Sequence, residues 1–168
     1  RSPNSFIVVI GCYAQLKPDK IKSLKGVDLV LRTEDKFNLV KYLNENYTSD
    51  VIVGRKNIDD TKIFNLAFSS GSRTRSYLKV QDGCDYTCSY CTIPMARGVS
   101  RSGTTNEIIS AIQQITELNI KEIVLTGVNI GDYHGKNGES FFDLIKEIDS
   151  LPNTPRFRIS SIEPNLLT

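Results

Sequence analysis

Apolar and polar positions divide the chain into short strand-like runs and longer segments with helical spacing. Phe6 to Ile10 is an apolar, β-branched run of the kind found in buried parallel strands, and Gly11-Cys12-Tyr13 reads as the loop that ends it. Pro18 to Leu24 reads as a short helix with proline in its first turn, and Val27 to Leu31 as a second buried strand. Between Glu34 and Glu45, Phe37, Val40, Tyr42 and Leu43 recur at the spacing of an amphipathic helix. Strand, helix, strand, helix implies a parallel sheet. Residues 44–75 are weakly patterned, and the turn-rich Ser69 to Arg73 run suggests a connection between domains with some local strand content.

A second series begins at Tyr77, where Tyr77-Leu78-Lys79-Val80-Gln81 alternates as a strand does. Ile108, Ile109, Ile112, Ile115 and Leu118 line one face of a helix predicted over Thr105 to Leu118, with Glu107 in an acidic first turn. Glu122 to Thr126 is a β-branched strand closed by Gly127, and a polar glycine-rich loop follows from Gly131 to Glu139. Ser140 to Ile148 is a further amphipathic helix, with Phe141, Leu144, Ile145 and Ile148 inward. Phe157 to Ser161 is a third strand, ending before Glu163-Pro164. Strand and helix repeated in this way read as the opening of a (β/α) barrel.

Composition narrows the class only a little. The 168 residues are 39% hydrophobic and 24% charged, ordinary values for a globular protein. The formal net charge of +2 permits a nucleic-acid partner without arguing for one. No apolar run approaches the ~20 residues of a membrane span, and the run at 6–14 lacks the character of a secretion signal. The four cysteines are then expected in a reducing, cytoplasmic setting. A chain that starts at Arg1 and has Met95 as its single methionine is expected to be a fragment.

The chemistry concentrates at Cys84, Cys88 and Cys91, in a C-x3-C-x2-C pattern after the Asp82-Gly83 turn signal. Three thiolates leave one iron of a four-iron cluster open, whereas structural zinc wants a fourth ligand, here the distant Cys12 or His134. A triplet on one loop cannot pair off into disulfides. Ligand counting favours the open-iron cluster and leaves zinc as the alternative. His134, the sole histidine, sits in a polar loop and reads as solvated. No P-loop, G-x-S-x-G or zincin motif occurs.

With its flanks, KVQDGCDYTCSYCTIPMARGVSRS resembles the radical S-adenosylmethionine (SAM) tRNA methylthiotransferases, and GCYAQ and TGVNIGDY extend the resemblance over nearly the whole chain. TGVNIGDY and SSIEPN look most like the branch acting on N6-threonylcarbamoyladenosine. The isopentenyladenosine branch comes next, followed by one that modifies a ribosomal-protein aspartate. The resemblance implies an α/β chain: the C-terminal part of a flavodoxin-like parallel-sheet domain over 1–46, a linker over 47–73, and the first half of a radical SAM (β/α)6 partial barrel over 74–168. It implies a [4Fe-4S] cluster on Cys84, Cys88 and Cys91 with SAM at the open iron, and makes Cys12 the last of three ligands to a second [4Fe-4S] cluster. The catalytic residues proper stay unassigned.

Other positions follow from the resemblance with a plainer reading beside each. Tyr90 would lie near the SAM adenine, or simply pack. Gly127 would allow backbone approach to the methionine portion of SAM, or simply end a strand. Glu163 qualifies as a cofactor contact by position at a strand C-terminus. Arg73, Arg75, Lys79, Arg97 and Arg101 bracket the cysteine loop, and Arg97 and Arg101 are the candidates for RNA contact, against the alternative of ordinary solvated ion pairs. The implied partners are a tRNA anticodon loop, an electron donor such as flavodoxin or ferredoxin, and a sulfur donor. No membrane is implied.

Overall fold

The structure, a computed structural model, describes residues 4–44, 52–53, 58, 61–71 and 74–166. Arg73 and the far end of the helix expected up to Glu45 lie outside these residues. The chain separates into two compact units, Arg1–Thr61 with Thr87–Gly98, and Lys62–Tyr86 with Val99–Thr168.

The first unit is built on a parallel sheet of β1 (Val8–Ile10), β2 (Leu29–Leu31) and β3 (Ile52–Val53), with β2 in the centre. Central placement explains why Leu29, Val30 and Leu31 are all buried. Among the described residues β1 lies at the sheet's edge, and Phe6, Ile7 and Ile10 are exposed rather than buried as the apolar run suggested. Between these strands come α1 (Cys12–Leu16) and α2 (Pro18–Lys22). Here the loop expected at Cys12 is instead a helical turn that follows Gly11, whose φ of 114° suits glycine. Ala14, Ile21 and Val30 form this unit's small core. The amphipathic helix expected from Glu34 resolves into a 3-10 turn at Asp35–Asn38 and α3 (Leu39–Asn44). Its apolar residues Phe37, Val40 and Leu43 are exposed, so periodicity there does not mark a buried face.

The second unit holds a mixed sheet in the order β4 (Ala67–Phe68), β5 (Arg75–Lys79), β8 (Glu122–Thr126), β9 (Arg156–Ile159). The first pair is antiparallel; β5–β8 and β8–β9 are parallel, with Tyr77 opposite Val124 and Leu78 opposite Leu125. A two-stranded antiparallel ribbon joins β6 (Gln81–Asp82) to β7 (Arg101–Ser102). Parallel neighbours need crossovers, and α5 (Thr105–Glu117) and α6 (Phe141–Asp149) supply them. Ile108, Ala111, Ile112 and Ile115 of α5 join Leu78, Val80, Ile123, Leu125, Leu144 and Ile148 in one core. Leu118, expected on that face, is exposed, because it is the C-cap and the helix has ended.

Both crossover helices start on reciprocal capping boxes. The Thr104 hydroxyl accepts from the Glu107 amide at 3.2 Å while the Glu107 carboxylate accepts from the Thr104 amide at 3.0 Å and hydroxyl at 2.7 Å. These bonds hold the Glu107 carboxyl below its ordinary value. Ser140 and Asp143 repeat the arrangement, and the Lys146 ammonium, then the Ser140 hydroxyl and amide, push Asp143 far down. At the N-terminal ends of the parallel strands, Arg75, Glu122 and Arg156 stand in register. Glu122 pairs with Arg156 and, at 3.4 Å, with Arg75. Hydrogen bonding to Arg156 lowers its pKa.

Candidate metal centre

The C-terminal ends of the parallel strands in the second unit lead on to Cys84, Gly127 and Glu163. After Lys79 the chain leaves the β5–β8 ladder, and the Val80 amide still donates to the Thr126 carbonyl at 2.9 Å. Gln81 and Asp82 come next, both buried although both polar. The Asp82 carboxylate accepts from the Gly83 amide at 2.9 Å and pairs with Arg101 at 3.2 Å and Lys79 at 3.5 Å. Gly83 has φ 75°, a conformation that glycine adopts at no steric cost. The Asp85 carboxylate then accepts from the Ser100 amide at 2.8 Å. Cys84, half-buried, is thus bracketed by two residues tied to neighbouring backbone.

Cys88 and Cys91 belong with the first compact unit. The Cys91 amide donates to the Cys88 carbonyl at 3.1 Å, which closes a turn. Tyr90 within it has φ 60°, uncommon for a residue with a side chain. Its ring is fully exposed at 104%, so the plainer packing role does not describe it. A helix the sequence reading missed, α4 (Ile93–Arg97), follows with a proline in its first turn. Its Ala96 carbonyl accepts from the buried Thr33 hydroxyl at 2.7 Å. Cys88 is exposed, Cys91 half-buried, and Cys12 is exposed at the start of α1.

Around the end of β8, Gly127, Asn129 and Glu163 come together with the loop at Gln81. A Cβ on Gly127 would lie 2.9 Å from Gln81 Oε1 and 3.0 Å from Ile130 Cγ1, so this glycine admits the Gln81 side chain. The Asn129 Oδ1 accepts from the Glu163 amide at 3.3 Å, and the Ile130 amide donates to the Ser161 carbonyl at 2.8 Å. Buried Nδ2 of Asn129 has no hydrogen-bond partner among the described residues. Glu163 itself is exposed. His134 is also exposed, with Nδ1 3.0 Å from the Asp132 carbonyl, as expected of a solvated residue.

Arg101 has a role different from the one its position suggested. It is 8% exposed, and its guanidinium reaches Asp82, the Ile63 carbonyl at 3.2 Å and the Val99 carbonyl at 3.0 Å. Little of it is presented to a phosphate. Arg97 is half-buried. Gln81, Ser100 and Asn129 were not picked out from the sequence. Gln81 alone had a signal, the break in alternation at Gln81-Asp82, where two polar residues succeed one another at the end of a strand.

The donor set suits a thiolate-bound metal. All four cysteines are outside disulfides, and the orphan amide of Asn129 offers a hydrogen bond at the strand ends. Among the described residues, however, no three cysteine, histidine, aspartate or glutamate side chains converge as a ready-made metal site. Ligand thiolates on a loop are ordinarily drawn together by the metal itself. Among the described residues no helix is long and apolar enough to cross a membrane.

A match to the radical SAM superfamily covers residues 78–167, more than half of the chain, and the chain belongs to that superfamily. It is similar along its length to particular tRNA-modifying enzymes. It is 41% identical over 167 positions to the threonylcarbamoyladenosine tRNA methylthiotransferase MtaB of Thermotoga maritima, covering 96% of this chain and 37% of that protein. To the protein of the same name in Bacillus subtilis it is 37% identical over 175 positions, covering 100% of this chain and 38% of the relative. The tRNA-2-methylthio-N(6)-dimethylallyladenosine synthase of Clostridium botulinum is 31% identical over 175 positions, 100% of this chain and 39% of that protein. The chain thus spans well under half the length of these relatives.

Proposed function

We propose that the chain is part of a radical SAM methylthiotransferase that adds a methylthio group to N6-threonylcarbamoyladenosine beside the tRNA anticodon. The observation that carries this reading is the cysteine triplet on the loop after the first parallel strand, inside the segment matching the radical SAM superfamily. Cys84, Cys88 and Cys91 would hold a [4Fe-4S] cluster, and Cys12 would contribute to a second one. The first cluster, when bound with SAM, supplies one-electron cleavage of the sulfonium. Tyr90, exposed between two ligands, and Gly127 and Glu163, at the strand ends, are the candidates for contact with SAM. Arg97 is the remaining candidate for RNA contact.

This reading takes residues 1–46 as the latter part of a flavodoxin-like domain, 47–73 as a linker, and 74–168 as the first part of a (β/α)6 partial barrel. A cytoplasmic protein that receives electrons from flavodoxin or ferredoxin completes it. The anticodon-loop base would be reached unstacked or flipped out. The Clostridium botulinum relative supports a second reading, methylthiolation of the dimethylallyl-modified adenosine.

Mass spectrometry of tRNA nucleosides from a strain lacking the gene separates the two. Loss of the methylthio form of threonylcarbamoyladenosine is expected. Loss of the dimethylallyl form instead selects the second reading, and an unchanged profile overturns both. A protein that holds zinc and takes up no iron and sulfide would be a structural zinc module and not an enzyme of this kind.

A further inference from the structure

Thr33 is 6% exposed and stands two residues beyond β2. Its hydroxyl donates to the Ala96 carbonyl at 2.7 Å, and its amide donates to Gln15 Oε1 at 3.1 Å. All three residues belong to the first compact unit.

From Ala96 the hydrogen bonds lead back to two cysteines. The Ala96 amide donates to the Thr92 carbonyl at 3.0 Å, and Thr92 directly follows Cys91, whose own amide donates to the Cys88 carbonyl. From Gln15 they lead to the third cysteine of this unit. The Gln15 amide donates to the Gly11 carbonyl at 3.1 Å, beside Cys12. Thr33 is thus the residue on which both cysteine-bearing segments close. Apolar packing holds α4 only slightly: Ala96 is its one buried side chain, and Ile93 and Met95 are exposed. The last carbonyls of a helix have no partner within it, and a buried one left unpaired is costly. The Thr33 hydroxyl supplies the partner that this five-residue helix cannot.

We infer that Thr33 is a positioning residue. Through α4 its hydroxyl fixes the turn that carries Cys88 and Cys91, and its amide ties that turn to the segment bearing Cys12. The role toward the thiolates rests on the reading of Cys88 and Cys91 as cluster ligands; the anchoring of α4 does not.

The test combines hydrogen exchange at single amides with the electron paramagnetic resonance spectrum of protein loaded anaerobically with ferrous iron and sulfide and then reduced. Before loading, the natural protein is expected to exchange the Ala96 and Gly98 amides at least fivefold more slowly than unprotected amides. Exchange there at the unprotected rate overturns the anchor without any variant. Thr33→Val keeps the shape and the backbone amide but loses the hydroxyl. It is expected to quicken exchange at Ala96 and Gly98 roughly fivefold, the worth of one buried hydrogen bond. Amides of α5, in the second unit, serve as the control for folding. Gln15→Met is expected to quicken exchange at Thr33 alone; if it quickens α4 as much as Thr33→Val does, the hydroxyl is not the anchor. Loaded Thr33→Val is expected to give a shifted and broadened spectrum, and Thr33→Ser, which restores the hydroxyl, the natural one. A contact that serves stability alone would leave the spectrum unchanged, and that result overturns the positioning role while the cluster reading stands. A natural protein that takes up no iron and sulfide overturns that reading and, with it, the role toward the thiolates.

Discussion

Gly127→Ala distinguishes a glycine kept for packing from one kept for a ligand. The added methyl would meet Gln81 Oε1 at 2.9 Å, Ile130 Cγ1 at 3.0 Å and Gln81 Cβ at 3.1 Å. Its contact with the isoleucine falls about 0.5 Å or more inside the ~3.5–4.0 Å optimum for two carbons. Relief requires Gln81 to retreat, which lengthens its bonds of 2.8 Å and 3.0 Å to the Val128 and Asn129 amides. Overpacking of this kind costs about 1–3 kcal/mol, and each weakened bond about 1 kcal/mol. The sum, about 3–5 kcal/mol, lowers the melting midpoint by roughly 6–20 °C in protein free of metal and SAM. The assay is thermal unfolding, followed by near-ultraviolet circular dichroism, of Gly127→Ala, Gln81→Ala and the double variant. Truncating Gln81 removes part of the clash, so the two costs are expected to sum to more than the cost of the pair. If Gly127→Ala melts as the natural protein does and loses only SAM binding, the glycine serves the ligand and the packing argument fails.

Three further outcomes follow from the same geometry. Arg101→Met removes the closer cation from buried Asp82 and leaves Lys79 at 3.5 Å, so a loss of about 3 kcal/mol is expected by urea unfolding. A loss under ~0.5 kcal/mol would return Arg101 to the list of available surface cations. Thr104→Ala breaks the capping box of α5 and is expected to cost about 1 kcal/mol, read as a shift in urea midpoint. Glu107, Glu122 and Asp143 all have depressed folded-state pKa values. Their contribution is therefore complete above the ordinary carboxylate value of about 4 and lost as pH falls through the lower folded values. Melting midpoints should drop as pH is lowered below about 4, and a Glu107→Gln, Asp143→Asn protein should show a shallower drop.

The second unit was largely legible in the sequence because its signals are local and agree. The isoleucine spacing of α5, the apolar spacing of α6 and the β-branched run at Glu122–Thr126 each specify one element, and the core uses them together. The first unit was less so. An apolar run says strand without saying edge, and only the sheet order makes Ile10 an exposed position. Phe37, Val40 and Leu43 keep helical spacing without a buried face. The cysteine triplet was plain because spacing is its whole signal. Gln81 was not, because its value comes from partners at Ser100 and Val128, a relation no local pattern records.

The core of the second unit, from Leu78 through Ile148, includes none of the four cysteines. Cohesion of that scaffold and possession of the metal are therefore separate matters. Under the proposed function, oxygen that strips the iron would leave the frame of the second unit empty but intact. The cell could repair such a protein by supplying new iron and sulfide, with no need to synthesise it again.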